Sequence, residues 1–202
     1  MNFFIVTGSH RPDSESGKIG RYVEHLLDLH YPDVNYALLD LGRTPMPLWD
    51  ESLWSDSPKG FDDWSPISEK LRQADGLVVV TPEWSGMVPA ALKNFFLLCQ
   101  RELVDKPGLI VSVSAGTGGA YPVAELRVSS YKNTHLCYIP EHVIVRQVRE
   151  VFNDFEKADS ETEQFLTARL LHALGLLKVY AKALMRVRIS GARDLERFPF
   201  GM

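Results

Sequence analysis

Two short runs limit the fold more than anything else in the chain. Gly76-Leu77-Val78-Val79-Val80-Thr81 and Leu109-Ile110-Val111-Ser112-Val113-Ser114 are almost wholly apolar and rich in β-branched residues. A strand with one wet face would alternate polar with apolar. A run without alternation is buried on both faces, as strands inside a parallel sheet are. Phe3-Phe4-Ile5-Val6 has the same character, and Val34 to Leu41 reads as a further strand. Cys137–Ile139 and Val143–Val148 supply the last strand or its approach. Between these runs, apolar residues recur at helical spacing. Ile19, Tyr22, Val23, Leu26 and Leu27 form one helix face, and Ile67, Leu71 and Ala74 a shorter one. Leu92, Phe95, Phe96 and Cys99 mark a helix from Ala90 to about Arg101, with Pro89 as its first residue. Another is predicted from about Tyr121 to Asn133. Strands that alternate with helices predict an α/β fold with a parallel sheet.

Three turns rich in glycine and hydroxyls follow the first, third and fourth predicted strands, so a parallel sheet puts them on one edge. Five strands with a ligand at that edge suggest the flavodoxin-like three-layer arrangement, strand order 2-1-3-4-5, with the ligand at the switch between strands one and three. The first turn, Thr7 to Gly17, leads into a helix whose free N–H groups suit an anion. Ser9, Ser14 and Ser16 add hydroxyls, and Arg11 adds a guanidinium that fits a phosphate as a fork. GxxxxGK[ST] and GxGxxG are both absent from this turn. Hydroxyls stand where those motifs have glycines, which suits a phosphate monoester such as that of FMN. The same turn also reads as an ordinary strand-to-helix connection with a serine N-cap.

Residues 42 to 66 show no periodicity and hold Pro45, Pro47, Pro58 and Pro66 with Trp49, Trp54 and Trp64. A loop of that length is commonly a lid or binding segment, although any one tryptophan would more simply anchor it to its own domain. The tail predicts a long helix from about Glu161 to Arg188, opened by a Ser160–Glu163 capping box. Its stripe of Leu166, Leu170, Leu174, Leu177, Ala181 and Leu184 is widened by Leu171, Tyr180 and Met185. Such a helix is about 40 Å long, more than a small domain covers, so part of it is expected to form an oligomer contact. A kink at Gly175 is the other expectation there.

The 202 residues suit a single domain spanning 1–202. A net charge of −4 gives no nucleic-acid footprint. No apolar run approaches the roughly 20 residues that cross a bilayer, and no leader precedes the first strand, so a cytoplasmic protein is expected. Cys99 and Cys137 read as buried, reduced thiols. The six histidines have no metal-ligand spacing, and no metal site is expected.

In order along the chain, GSHRPDSES, TPEWSGMVPAALKN and SVSAGTGGA resemble the NAD(P)H-dependent FMN reductase family of flavodoxin-like proteins. The family typically shows a GSxRxxS turn, a TPEYNxxxPxxLKN segment and a serine–glycine turn after the fourth strand. The resemblance runs from residue 2 to about residue 153. It implies that Ser9, Arg11, Ser14 and Ser16 hold the FMN phosphate. Pro82, Glu83, Trp84, Ser85 and Gly86 would line one edge of the isoalloxazine, and Ser114, Gly116, Thr117 and Gly118 its other side. It also implies a homodimer or homotetramer. Hydride would pass from NADPH or NADH through FMN to an acceptor such as free flavin, a quinone, an azo compound or a metal oxyanion. A flavodoxin-type electron carrier and a flavin-free scaffold of the same fold are the competing readings. Ser85 and Trp84 depart from the family's asparagine and tyrosine, and Asp13 and Glu15 set acids beside the proposed phosphate. Flavin chemistry needs no Ser-His-Asp set or paired carboxylates, so no catalytic proton-transfer residue is nominated. Glu83 is expected instead to pair with a basic residue or to cap the next helix.

Overall fold

The computed structural model describes residues 1–55, 59–157 and 159–200. Five strands, β1 (Asn2–Thr7), β2 (Asn35–Asp40), β3 (Gly76–Pro82), β4 (Pro107–Val113) and β5 (Cys137–Val145), form one sheet in the order β2-β1-β3-β4-β5. Every pairing is parallel. All seven residues of β3 and all seven of β4 are buried, as the unbroken apolar runs require. Successive side chains point to opposite faces. Phe3 and Ile5 therefore join α1 (Glu15–His30) and α5 (Glu161–Ile189) in one core, while Phe4 and Val6 join α2 (Ser65–Gln73), α3 (Ala90–Leu98) and α4 (Ala120–Val128) in the other.

Several boundaries differ from the sequence reading, each for a local reason. Helix α4 ends at Val128 rather than Asn133. The Ser129 hydroxyl donates to Glu125 O at 2.6 Å and the Ser130 hydroxyl to Leu126 O at 3.2 Å, taking carbonyls that a longer helix would need. Helix α3 stops at Leu98, short of Arg101, and the amide of Gln100 turns to the buried Glu102 carboxylate at 2.6 Å. The last strand is continuous through Pro140, with a register shift between Gly108 and Ile110 on its partner. It is an edge strand, where a missing N–H is tolerated.

Residues 42 to 66 are not wholly irregular. A 3-10 turn spans Glu51–Trp54, and Ser65 already belongs to α2. Trp64 is buried against Phe95, and Asn94 ties down the segment around Trp49 by accepting from its amide at 2.8 Å and donating to Pro47 O at 2.8 Å. Trp54 is 68% exposed. Pro58 lies outside the described residues. Both cysteines are free thiols, but Cys137 is only half-buried.

Helix α5 runs unbroken through Gly175. A Cβ there would lie 3.0 Å from the Tyr31 hydroxyl, which donates to Leu171 O at 2.8 Å, so the glycine serves close packing and not a kink. Leu166, Leu170, Leu174, Leu177 and Ala181 are buried against the sheet, whereas Val179, Met185, Val187 and Ile189 are exposed. The capping box is present. The Ser160 hydroxyl accepts from the Glu163 amide at 3.1 Å, and the Glu163 carboxylate accepts from Ser160 N at 3.2 Å. That carboxylate also accepts from Phe152 N at 2.7 Å.

The Phe152 amide, with the Ser160 groups, holds the Glu163 carboxyl below its ordinary pKa of 4.5. An acid lowered in the folded state adds stability that is complete above the unfolded value and is lost as pH falls through the folded one. Glu163→Gln is therefore expected to lower stability at neutral pH by about 1–3 kcal/mol in urea unfolding. The gap from wild type should close as the medium is acidified below pH 4.5; a gap independent of pH would remove the carboxylate's charge from this role.

Candidate functional site

The first turn leaves β1 at Thr7 and is tied to β3 by Gly8 N donating to Val80 O at 2.8 Å. The Ser9 hydroxyl accepts from Arg11 N at 3.1 Å. Ser14 caps α1, accepting from Gly17 N at 3.0 Å and from the Ser16 hydroxyl at 3.2 Å. Ser9, Ser14 and Ser16 are buried and give the turn a hydroxyl-lined floor beneath the exposed residues 10–13. Helix geometry leaves the Glu15 and Ser16 amides without intrahelical acceptors, and the helix dipole makes that end attractive to an anion. The acids beside it are drawn aside. Asp13 is exposed and pairs with Arg43 at 3.4 Å, while Glu15 pairs with Lys18 at 2.8 Å. Asp40 is buried at the end of β2, where it accepts from Gly42 N at 3.1 Å between Arg21 and Arg43.

The second turn is a tight hairpin. Trp84 and Met87 exchange both backbone bonds, at 3.1 and 2.9 Å, around Ser85 (φ 50°) and Gly86 (φ 72°). Positive φ at both central positions is what a primed hairpin turn demands. Asparagine tolerates that region better than most residues, and serine holds it here. Trp84 meets His10 of the first turn edge to face at 4.3 Å. Glu83 does cap a helix, but α4 rather than the next one, α3: its carboxylate accepts from Gly119 N at 2.6 Å. Glu125 holds the far side of the hairpin, accepting from Val88 N at 2.7 Å and pairing with Lys93 at 2.6 Å.

In the third turn the Ser114 hydroxyl accepts from Gly116 N at 3.2 Å. Arg146 fixes the outer arc, its Nε donating to Thr117 O at 2.7 Å and Gly118 O at 3.0 Å. The chain after β5 closes against this turn through Gln147 N to Gly116 O at 3.0 Å and Val148 N to Ser114 O at 3.1 Å.

Between the turns lies a cleft of about 120 Å³. Ser9, Arg11, Ser14 and Ser16 line it from the first turn, and Pro82, Glu83 and Trp84 from the second. Ser85, Gly86, Ser114, Gly116, Thr117 and Gly118 are outside its lining and belong to the surrounding rim. The sequence reading missed His10, Arg146 and Arg149, of which Arg149 borders the cleft itself. The residues just after β5 lie at the same carboxyl edge, where α/β sheets bind ligands, and that rule was the available signal. The donor set suits a phosphate monoester: three buried hydroxyls, a helix N-terminus and the Arg11 guanidinium. Larger hollows of about 460 and 580 Å³ run along α3, bordered by Phe96 and Leu97. The first reaches Val88 and Glu125 on the far side of the second turn, and neither includes the hydroxyl floor.

Residues 1–150 match the family described as NADPH-dependent FMN reductase. A quinone reductase of Pseudomonas putida is 26% identical over 170 residues, covering 81% of this chain and 88% of that protein. A quinone reductase of Escherichia coli K12 is 28% identical over 203 residues, covering 94% and 98%. Among solved structures, the flavoenzyme NAD(P)H:(acceptor) oxidoreductase FerB of Paracoccus denitrificans superposes with a TM-score of 0.69 at 21% identity, covering 92% of this chain and 97% of that one.

Removing the α4 cap tests how the rim is built. Glu83→Ala should cost about 1–3 kcal/mol of stability in chemical denaturation, because a charged acceptor leaves the Gly119 amide unpaired. Stability equal to wild type would exclude the carboxylate as a brace between the second and third turns.

Proposed function

The chain belongs to the NADPH-dependent FMN reductase family, and we propose that it carries hydride from NADPH or NADH to a quinone-type acceptor over FMN held by its three turns. Bound FMN would supply a ring that takes hydride and passes electrons on. The protein's part is to hold, orient and shield. Ser9, Ser14 and Ser16, the α1 amides and Arg11 take the phosphate. Pro82, Glu83, Trp84, Ser85 and Gly86 line one edge of the ring, and Ser114, Gly116, Thr117 and Gly118 approach its other side. The cleft that joins the first and second turns carries this reading. Glu83 commits its carboxylate to the Gly119 amide, which supports leaving it out of proton transfer. The quinone reductases among the relatives support the acceptor class.

The same reading makes the chain a single cytoplasmic domain that works as a homodimer or homotetramer. No helix among the described residues is long and apolar enough to cross a membrane. Exposed Trp54, Leu97 and Val128, with Val179 and Ile189 on α5, are apolar surface that a second copy would cover. Sedimentation equilibrium should then report two or four chains at micromolar concentration; a monomer would contradict it.

Purified protein should bind FMN, and either nicotinamide should bleach the flavin in the absence of air. Arg11→Ala should weaken FMN binding by about 1–3 kcal/mol. Protein that takes up no FMN would overturn the reading, and unchanged affinity would remove Arg11 from the site.

A further inference from the structure

The chain just after β5 brings a second guanidinium to the cleft. Val148–Glu150 form a 3-10 turn that is fixed on two sides. On one side Gln147 and Val148 bond the third turn, as described above. On the other, Lys18 of α1 reaches across: its Nζ donates to Val148 O at 2.7 Å, Val151 O at 2.9 Å and Asn153 Oδ1 at 2.9 Å. Asn153 in turn donates from Nδ2 to Arg149 O at 2.9 Å. Arg149 is thus mounted on a braced turn and borders the cleft with Ser9, Ser14 and Ser16.

Its guanidinium has no hydrogen-bond or acidic partner among the described residues, and neither has that of Arg11. The nearby Arg146 and Arg43 are different: one is committed to Thr117 and Gly118 carbonyls, the other to Asp13. Two uncommitted guanidiniums at one small hydroxyl-floored cleft leave local positive charge to be matched. A phosphate monoester carries about −1.5 to −2 at neutral pH, a charge that two arginines balance and one does not. Glu15 and Glu83 also border the cleft and would oppose an anion, but the Lys18 ammonium sits 2.8 Å from the Glu15 carboxylate and the Glu83 carboxylate accepts from Gly119 N at 2.6 Å.

We propose that Arg149 is a second arginine for the phosphate of the cofactor, and that Lys18 is the positioning residue that holds the Arg149 turn and neutralises Glu15. The proposal rests on the FMN reading above.

Titration of apo-protein with FMN and with riboflavin, followed by flavin fluorescence, tests it, because the two ligands share the ring and differ in the phosphate. Arg149→Gln should raise the FMN Kd roughly tenfold or more, the fold-change of a charge-assisted hydrogen bond, and leave the riboflavin Kd within about twofold. Lys18→Met should shift the FMN-to-riboflavin ratio in the same direction, with partial recovery in Lys18→Arg. A merely structural lysine would weaken both ligands together. Should Lys18→Met fail to fold, Arg149→Gln decides alone, since that side chain is exposed. An unchanged FMN Kd in Arg149→Gln, or equal weakening of both ligands, overturns the proposal while FMN binding by wild type keeps the functional reading. Wild-type protein that binds neither ligand overturns that reading itself.

Discussion

Parallel pairing of β1 with β3, and of β3 with β4, is the constraint from which the site follows. With all strands pointing one way, each strand must hand over to its helix at the same edge. The three turns after β1, β3 and β4 therefore face one another although they lie about 70 and 30 residues apart in the chain. Buried strands supply the rigidity, since β3 and β4 expose no residue and cannot shift register without moving apolar side chains into the wrong layer. The turns need little regular structure of their own. They are fixed by single bonds to that frame, such as Gly8 N to Val80 O and Glu83 N to Val113 O.

The turns are then braced against each other, and against the chain beyond β5, by single side chains. Glu83 links the second turn to the third, and Trp84 rests on His10 of the first. Lys18 links α1 to the chain beyond β5. Electrostatics follows the same division of labour. Carboxylates near the anion-attracting end of α1 are each given a cation, Asp13 with Arg43 and Glu15 with Lys18, while Arg11 borders the cleft with no acidic partner among the described residues. A net acidic chain can in this way present a local site for an anion.

What the sequence made legible was whatever depends on continuous runs and fixed spacing. The two-sided apolar strands, a serine N-cap in the first turn and the Ser160 capping box have local causes, and the sheet order followed from the alternation of strands and helices; the structure has them all. The end of α4 depends on two serine hydroxyls competing for carbonyls, which periodicity does not register. The course of β5 through Pro140 depends on its being an edge strand, a property of the sheet and not of the segment. The partner of the Glu83 carboxylate is 36 residues away, and Val148, bonded by Lys18, is 130 away, so neither brace has a local pattern. Gly175 invited a kink on propensity alone, yet tertiary packing against Tyr31 decides its role.

Hydrogen–deuterium exchange with and without FMN tests the central claim most directly, because it reads all three turns at once. The account predicts slowed exchange together in residues 8–17, 82–87 and 114–119, with the outer surface of α5 unaffected. Protection confined to the hollow along α3, or an unchanged pattern at the three turns in protein that has taken up FMN, would contradict it.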